Sequence, residues 1–169
     1  MDTRDHIRRQ IVASRRTFDG VTETLTDDLI NWLPPGTANP ISSTLTHVFG
    51  SEDVFIQRFI QGKTRLWDTE GWSQKVGVAD PPGRGTAWEE YRSKRLSLVA
   101  ILAYRDAVRV VTDAYLERLT DADLERQVDF AGGKRSVADM LGTLVSHTAM
   151  HSGEIAALKG IQGVQGLPG

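Results

Sequence analysis

Three stretches of the chain repeat their apolar residues at intervals of three and four, and this period restricts the fold more than any other feature, because only a helix puts such positions on one face. In the first stretch Ile7, Ile11, Phe18, Val21 and Leu25 recur between Asp2 and Leu25, with Ser14 in the gap of the stripe. Pro34-Pro35-Gly36 and Asn39-Pro40 then break the pattern. Neither proline of the first group tolerates a helix interior, whereas Asn39 suits a cap and Pro40 a first helical turn. A second helix is predicted from about Pro40 to Gln61, on the stripe Ile41, Leu45, Val48, Phe55 and Phe59. From Gly62 to Gly85 the chain is rich in Gly, Pro and Asp, carries the isolated Trp67 and Trp72, and shows no clear period, so it reads as a long connection. Thr86-Ala87-Trp88-Glu89 has the spacing of a capping box and predicts a third helix running to Leu119. Gln127-Val128-Asp129-Phe130 is a short extended candidate followed by a turn at Gly132-Gly133. Ser136 with Asp139 then starts a fourth helix, which Gly160 should end.

The connections set the expected topology. A short link joins the first two helices, so they should be antiparallel neighbours, while the tract after Gln61 can travel a bundle length of about 30 Å. The sequence therefore predicts an all-α four-helix bundle, up-down-down-up, with its long loop between helices two and three. Leu25-Thr26-Asp27-Asp28-Leu29 is echoed by Leu119-Thr120-Asp121-Ala122-Asp123-Leu124, each ahead of a helix bearing histidine. The echo fits a bundle of two helix pairs, and it fits equally well the plain fact that Thr-Asp pairs make good caps.

A length of 169 residues suits one domain, taken as residues 1–169, and the 40% hydrophobic content is enough for one continuous core. A net charge of −2 with no Lys/Arg block leaves no electrostatic footprint for nucleic acid. The first residues, Met1-Asp2-Thr3-Arg4-Asp5-His6, are charged, and no apolar run approaches the roughly 20 residues that span a bilayer, so no membrane partner and a cytoplasmic location are expected. There is no cysteine. Disulfides, thiolate metal sites and a protein-borne sulfur nucleophile are thereby removed, and any thiol chemistry must borrow its sulfur.

His147 and His151 stand four residues apart in the fourth helix, so their rings leave one face a single turn apart. Val137, Leu141, Leu144, Thr148, His151, Ile155 and Leu158 form the inward stripe, and His147 shares its flank with Met140 and Leu144. Two buried imidazoles side by side resist protonation and keep polar nitrogens, which a divalent cation would satisfy. A hydrogen-bonded core pair is the alternative that spacing alone leaves open. Three protein ligands are usual for an open metal site, and His47 is the histidine whose level along the bundle fits. The helical wheel does not select it, since it lies about 120° from the centre of its helix's apolar stripe.

Leu29-Ile30-Asn31-Trp32-Leu33-Pro34, Ile41-Ser42-Ser43-Thr44-Leu45-Thr46-His47 and Leu144-Val145-Ser146-His147-Thr148-Ala149-Met150-His151-Ser152-Gly153-Glu154 together resemble the DinB/YfiT-like metalloprotein superfamily. The resemblance spans nearly the whole chain. It implies an up-down-down-up bundle, commonly a homodimer, with one divalent metal ion on His47, His147 and His151. It also implies kinship with mycothiol-dependent maleylpyruvate isomerase and thiol-dependent transferases. Relatives often carry an acidic residue after the first histidine of the pair and a histidine before the second, where this chain has Thr148 and Met150.

The function expected is therefore a metal-dependent enzyme that activates a small thiol cofactor for S-transfer or isomerisation of a small-molecule substrate. A metal-dependent hydrolase and a non-catalytic metal-binding stress-response bundle are the alternatives. Zinc, nickel, iron, cobalt and manganese all suit three imidazoles. Among other residues, Glu52 falls on an apolar stripe and should pair with an arginine or tyrosine of a neighbouring helix or orient a ligand histidine. Glu154 could steady a ligand imidazole or simply face water. Trp32, Trp67, Trp72 and Trp88 are expected to pack, Arg92 and Arg95 to face solvent, and His6 to be solvated.

Overall fold

The computed structural model describes residues 2–83 and 88–167. The architecture is mostly helical, with one small two-stranded sheet. Helix α1 (Thr3–Thr22) starts on Asp2, whose carboxylate accepts the Asp5 amide. Its predicted stripe is buried at Ile11, Phe18, Val21 and, just past its end, Leu25. Arg15 also turns inward and joins Glu52 and Asp113 at 2.5 Å each. The carboxylate on the second helix thus has the arginine partner that its position demanded.

Helix α2 (Asp27–Asn31) is a short element capped by the Thr26 hydroxyl. The first helix is therefore shorter than its apolar period, and the Leu-Thr-Asp echo is a repeated Thr-capped helix. The second helical stretch divides into α3 (Ile41–Asp53) and a π-helical segment (Val54–Ile60). The wider turn changes which residues face inward. Ile41, Leu45 and Val48 are buried as expected, but beyond Asp53 the core positions are Ile56 and Ile60, while Phe55 and Phe59 are half-buried.

The long connection is not free of structure. It contains α4 (Leu66–Thr69) and α5 (Trp72–Val76), and it buries Trp67 and Trp72 in the core. The cause is remote in sequence: the buried Asp53 carboxylate accepts the amides of Leu66 and Trp67 at 3.0 Å each, capping α4 from another helix. Tyr104 donates to the same carboxylate at 2.8 Å.

The third helix is broken. Helix α6 (Trp88–Ser93) ends before α7 (Leu98–Glu117) begins. Asn31 takes the Leu96 backbone on both sides, accepting its N–H at 2.7 Å and donating to its carbonyl at 2.8 Å, and Asp27 accepts the Leu98 amide. An unbroken helix would need those groups for itself. The capping box expected at Thr86 to Glu89 includes Thr86 and Ala87, which lie outside the described residues.

After α8 (Asp121–Glu125), capped by Thr120, strands β1 (Gln127–Phe130) and β2 (Gly133–Ser136) pair antiparallel with Phe130 opposite Gly133. This corrects the all-α expectation. The turn is Ala131-Gly132, both at positive φ, one residue earlier than the glycine pair suggested. Helix α9 (Val137–Ile161) opens on the predicted Ser136–Asp139 capping box and ends one residue after Gly160. It packs on α1 and α3, and α3 packs on α7. No helix among the described residues is long and apolar enough to cross a membrane.

Candidate metal centre

Two helices bring the three imidazoles together. His47 lies in the middle of α3, and His147 and His151 lie one turn apart on α9. Ring centroids are 4.9 Å from His47 to either partner and 4.5 Å between His147 and His151. One candidate ligand nitrogen from each ring lies within 4.8 Å of the other two. All three rings are half-buried at the bundle flank. His6 is exposed at the far terminus and takes no part.

Each ring is oriented by what its other nitrogen does. His47 Nδ1 donates to the Pro82 carbonyl at 2.6 Å, and His151 Nδ1 donates to Glu154 Oε2 at 2.6 Å. Both neutral rings then carry a bare lone pair on Nε2. His47 Nε2 faces His147 Nε2 at 2.9 Å, while His147 Nδ1 is buried without a partner among the described residues. A hydrogen bond between those two Nε2 atoms would still leave His151 Nε2 and His147 Nδ1 bare. A shared cation would satisfy three lone pairs at once, and bonds of about 2.0–2.1 Å at tetrahedral angles place nitrogens about 3.3 Å apart, against 2.9 Å between His47 and His147 Nε2 and no more than 4.8 Å among the three rings' ligand atoms. The residues thus fit a divalent ion.

Electrostatics agree with neutral donors. Burial, followed by repulsion from His151 and His47, pushes His147 down to about 4. Burial also lowers His47, against the hydrogen bond to Pro82. Glu154 is held below the ordinary carboxylate range, chiefly by the hydrogen bond from His151. Imidazoles that stay unprotonated near pH 7 are the form that binds metal.

The Pro82 carbonyl has its own structural support. The backbone of Gly50, one turn beyond His47, lies so close to Pro81 that a Cβ there would overlap the proline ring. That close approach seats the end of the long connection on α3, and with it the carbonyl on His47. The connection is fixed further by Tyr91, whose hydroxyl donates to the Asp80 carbonyl, and by Trp67, whose indole donates to the Ala79 carbonyl. A glycine inside a buried helix is the sequence signal that would have found this contact. Asp53, half-hidden by its apolar neighbours in the sequence, had no such signal.

Aromatic rings flank the centre. Trp88 lies 5.1 Å from the His47 ring and Phe55 6.4 Å from the His147 ring. Trp88 thus touches the site besides bounding α6. Glu154 holds a ligand imidazole rather than only facing water, whereas Glu52 is committed to Arg15. Arg92 donates to the carbonyls of Ala38 and Gly36, and Arg95 pairs with Asp28, all on the loop side of the molecule. Where the resemblance led one to expect an acidic residue and a further histidine, Thr148 is buried with its hydroxyl on the Leu144 carbonyl and Met150 is 65% exposed.

A family model described as the DinB superfamily matches residues 10–155. Among solved structures, a conserved protein from Enterococcus faecalis superposes with a TM-score of 0.77 at 16% identity, over 94% of this chain and 96% of that one. A DinB-like protein from Bacillus cereus superposes with a TM-score of 0.66 at 19% identity, over 98% and 95% of the two chains. At such identities the likeness is one of fold. No curated protein matches the chain significantly.

Proposed function

Because the chain belongs to the DinB superfamily, we propose that it is a metalloprotein in which His47, His147 and His151 hold one divalent cation through Nε2, and that it uses a small thiol cofactor for S-transfer or isomerisation of a small-molecule substrate. The observation that carries this reading is the convergence of three half-buried imidazoles, two of them tied at Nδ1 to fixed acceptors. When bound, such an ion supplies a Lewis-acidic charge that brings the pKa of a nearby thiol or water toward neutrality. The chain's own residues do the rest. Pro82 and Glu154 fix the tautomers of His47 and His151, so both Nε2 lone pairs point inward before any ligand arrives. Burial keeps His147 unprotonated and ready to bind. With no cysteine in the chain, the sulfur is brought by the cofactor.

The same proposal takes residues 1–169 as one four-helix-bundle domain, up-down-down-up. It is supported by Phe18 against Phe49 and Arg15 with Glu52 for opposed α1 and α3. Asp19 with Arg109 and Arg8 on the Leu116 carbonyl support opposed α1 and α7. His47 beside His151 and Phe55 beside His147 support opposed α3 and α9. A homodimer belongs to the proposal as well, and it is favoured by the outer face of α9, where Gly142, Ser146, Ala149, Met150, Gly153 and Ala157 are exposed and uncharged.

Elemental analysis of tag-free protein tests the centre. One zinc, nickel, iron, cobalt or manganese ion per chain is expected for the wild type and none for His151→Ala; equal contents would refute the ligand set. Conjugation assays with low-molecular-weight thiols and electrophiles test the activity. Full metal occupancy without turnover across such a panel would instead favour the non-catalytic bundle, in which the ion only fastens α3 to α9.

A further inference from the structure

Phe55, partly buried beside His147, bears on what the centre accepts. In an uninterrupted α-helix the stripe Ile41, Leu45, Val48 would continue through Phe55 and Phe59 into the core. The π-helical segment prevents this: Ile56 and Ile60 take the core positions at 1% and 3% exposure, and the two phenylalanines stand half-buried at the edge of that core. Wide turns of this kind inside helices are frequent at functional sites. A third ring, Phe130, arrives from β1 and packs against both.

The three rings form one surface. Phe130 meets Phe55 at 5.5 Å and 86° and Phe59 at 5.2 Å and 89°, and Phe55 lies 6.2 Å from Phe59. The wall is continuous with the centre through Phe55, 6.4 Å from the His147 ring. His47, Phe55 and Phe59 follow one another along the same helical stretch, which makes a strip with imidazole at one end and aromatic surface at the other. The hairpin that delivers Phe130 is held in a tight turn with Ala131 at φ 52°, a conformation that alanine adopts only under constraint. Partly exposed aromatic surface of this kind gains free energy when a ligand covers it.

We propose that the wall of Phe55, Phe59 and Phe130 is a specificity subsite, and that the centre takes a small molecule whose metal-binding head reaches the three histidines while an uncharged aryl or branched alkyl group lies on the wall. This rests on the metal-binding reading of His47, His147 and His151. The short step from His147 to Phe55 suits a single methylene between head and ring. A carboxylate or phosphate would meet the negative faces of the rings and gain nothing from them.

The test uses cobalt-loaded protein and two thiol probes, phenylmethanethiol and 2-mercaptoethanol, with affinities measured by calorimetry. The wild type should bind phenylmethanethiol about tenfold more tightly than 2-mercaptoethanol. Phe55→Leu and Phe130→Leu should each reduce that ratio to about threefold or less, with cobalt content and 2-mercaptoethanol affinity unchanged. Equal affinities in the wild type, or an unchanged ratio in both variants, would overturn the subsite. Should either variant lose its fold, nuclear Overhauser contacts decide: phenyl protons of the probe on zinc-loaded wild type must reach the ring protons of Phe55 or Phe130, and their absence overturns the proposal. Failure to retain one cobalt per chain would sink the metal reading itself, and this inference with it; retention without aryl preference sinks the subsite alone.

Discussion

Helix α3 carries two buried polar clusters about two turns apart, one around Asp53 and one around His47. The Asp53 carboxylate is 1% exposed and receives the amides of Leu66 and Trp67 and the hydroxyl of Tyr104, so the protein supplies every partner it needs. At the histidines Nδ1 of His47 and of His151 is tied down equally well, yet His47 Nε2 stands 2.9 Å from His147 Nε2, two ring nitrogens turned on one another. The first cluster is closed on itself, and the second is open: it gathers one ring nitrogen from each histidine within 4.8 Å of the others. Closure marks a structural group, which locks the long connection to the bundle. Rings held from behind with their inner lone pairs converging mark a cation site, because crowded lone pairs repel one another and a shared cation turns that repulsion into bonding.

Breaking the closed cluster should have the largest effect. Asp53→Ala strands two amides and the Tyr104 hydroxyl, and it is expected to lower the unfolding free energy by about 3–5 kcal/mol in denaturant titrations. Metal content of the folded fraction should stay at the wild-type level. A variant that lost metal before it lost stability would show that the two clusters are not separate.

Stripping the metal from the open cluster should cost less. At a free ion concentration a hundred times its dissociation constant, a bound ion adds about 2.7 kcal/mol, which chelation would remove and differential scanning calorimetry would register. The stripped protein should then become acid-sensitive. Unfolded imidazoles take up protons near pH 6.5, whereas His147 in the fold does so only at about 4 and His47 is lowered in the same sense. Between those values the unfolded chain holds more protons, so stability is complete above about pH 6.5 and declines as pH falls toward about 4. A melting temperature that stayed flat across that interval would contradict neutral, buried rings.

Smaller effects separate the supports of the site from the site. Gly50→Ala drives a methyl group into Pro81, and an overpacking cost of about 1–3 kcal/mol is expected, together with weaker metal binding as the Pro82 carbonyl shifts from His47. Glu154→Gln keeps the shape and removes the charge behind His151. Metal affinity should fall about tenfold in competition with a chromogenic chelator, while the metal-free protein melts within about 1 °C of the wild type. If Gly50→Ala destabilised the protein with no change in affinity, the seat on Pro81 would be packing alone.

Much of this was legible in the residues. The periods of three and four located α1, α3 and α9, Ser136 with Asp139 marked the start of α9, and His147 and His151 were placed on one face by their spacing, all of which depend on interactions within about a turn of chain. Residues whose partners are distant were not legible in the same way. The break between α6 and α7 comes from Asn31 and Asp27, and the short helix α4 comes from Asp53, each some dozens of positions or a whole helix away. The wider turn at Val54–Ile60 rotated Phe55 and Phe59 out of the stripe that an ideal period assigned them.

What the sequence determined by itself was therefore local: which segments coil, where they are capped, which two imidazoles stand a turn apart, and that no sulfur nucleophile exists in the chain. Only the tertiary structure decided that His47, off its helix's apolar stripe, meets the other two, that Pro82 and Glu154 aim the rings, and that Phe130 joins Phe55, itself beside His147. The physical reason is the range of the forces involved. Helical hydrogen bonds act over four residues and leave a period that can be read, whereas a site assembled across two helices, a loop and a hairpin depends on how those elements dock, and docking leaves no repeat in the sequence.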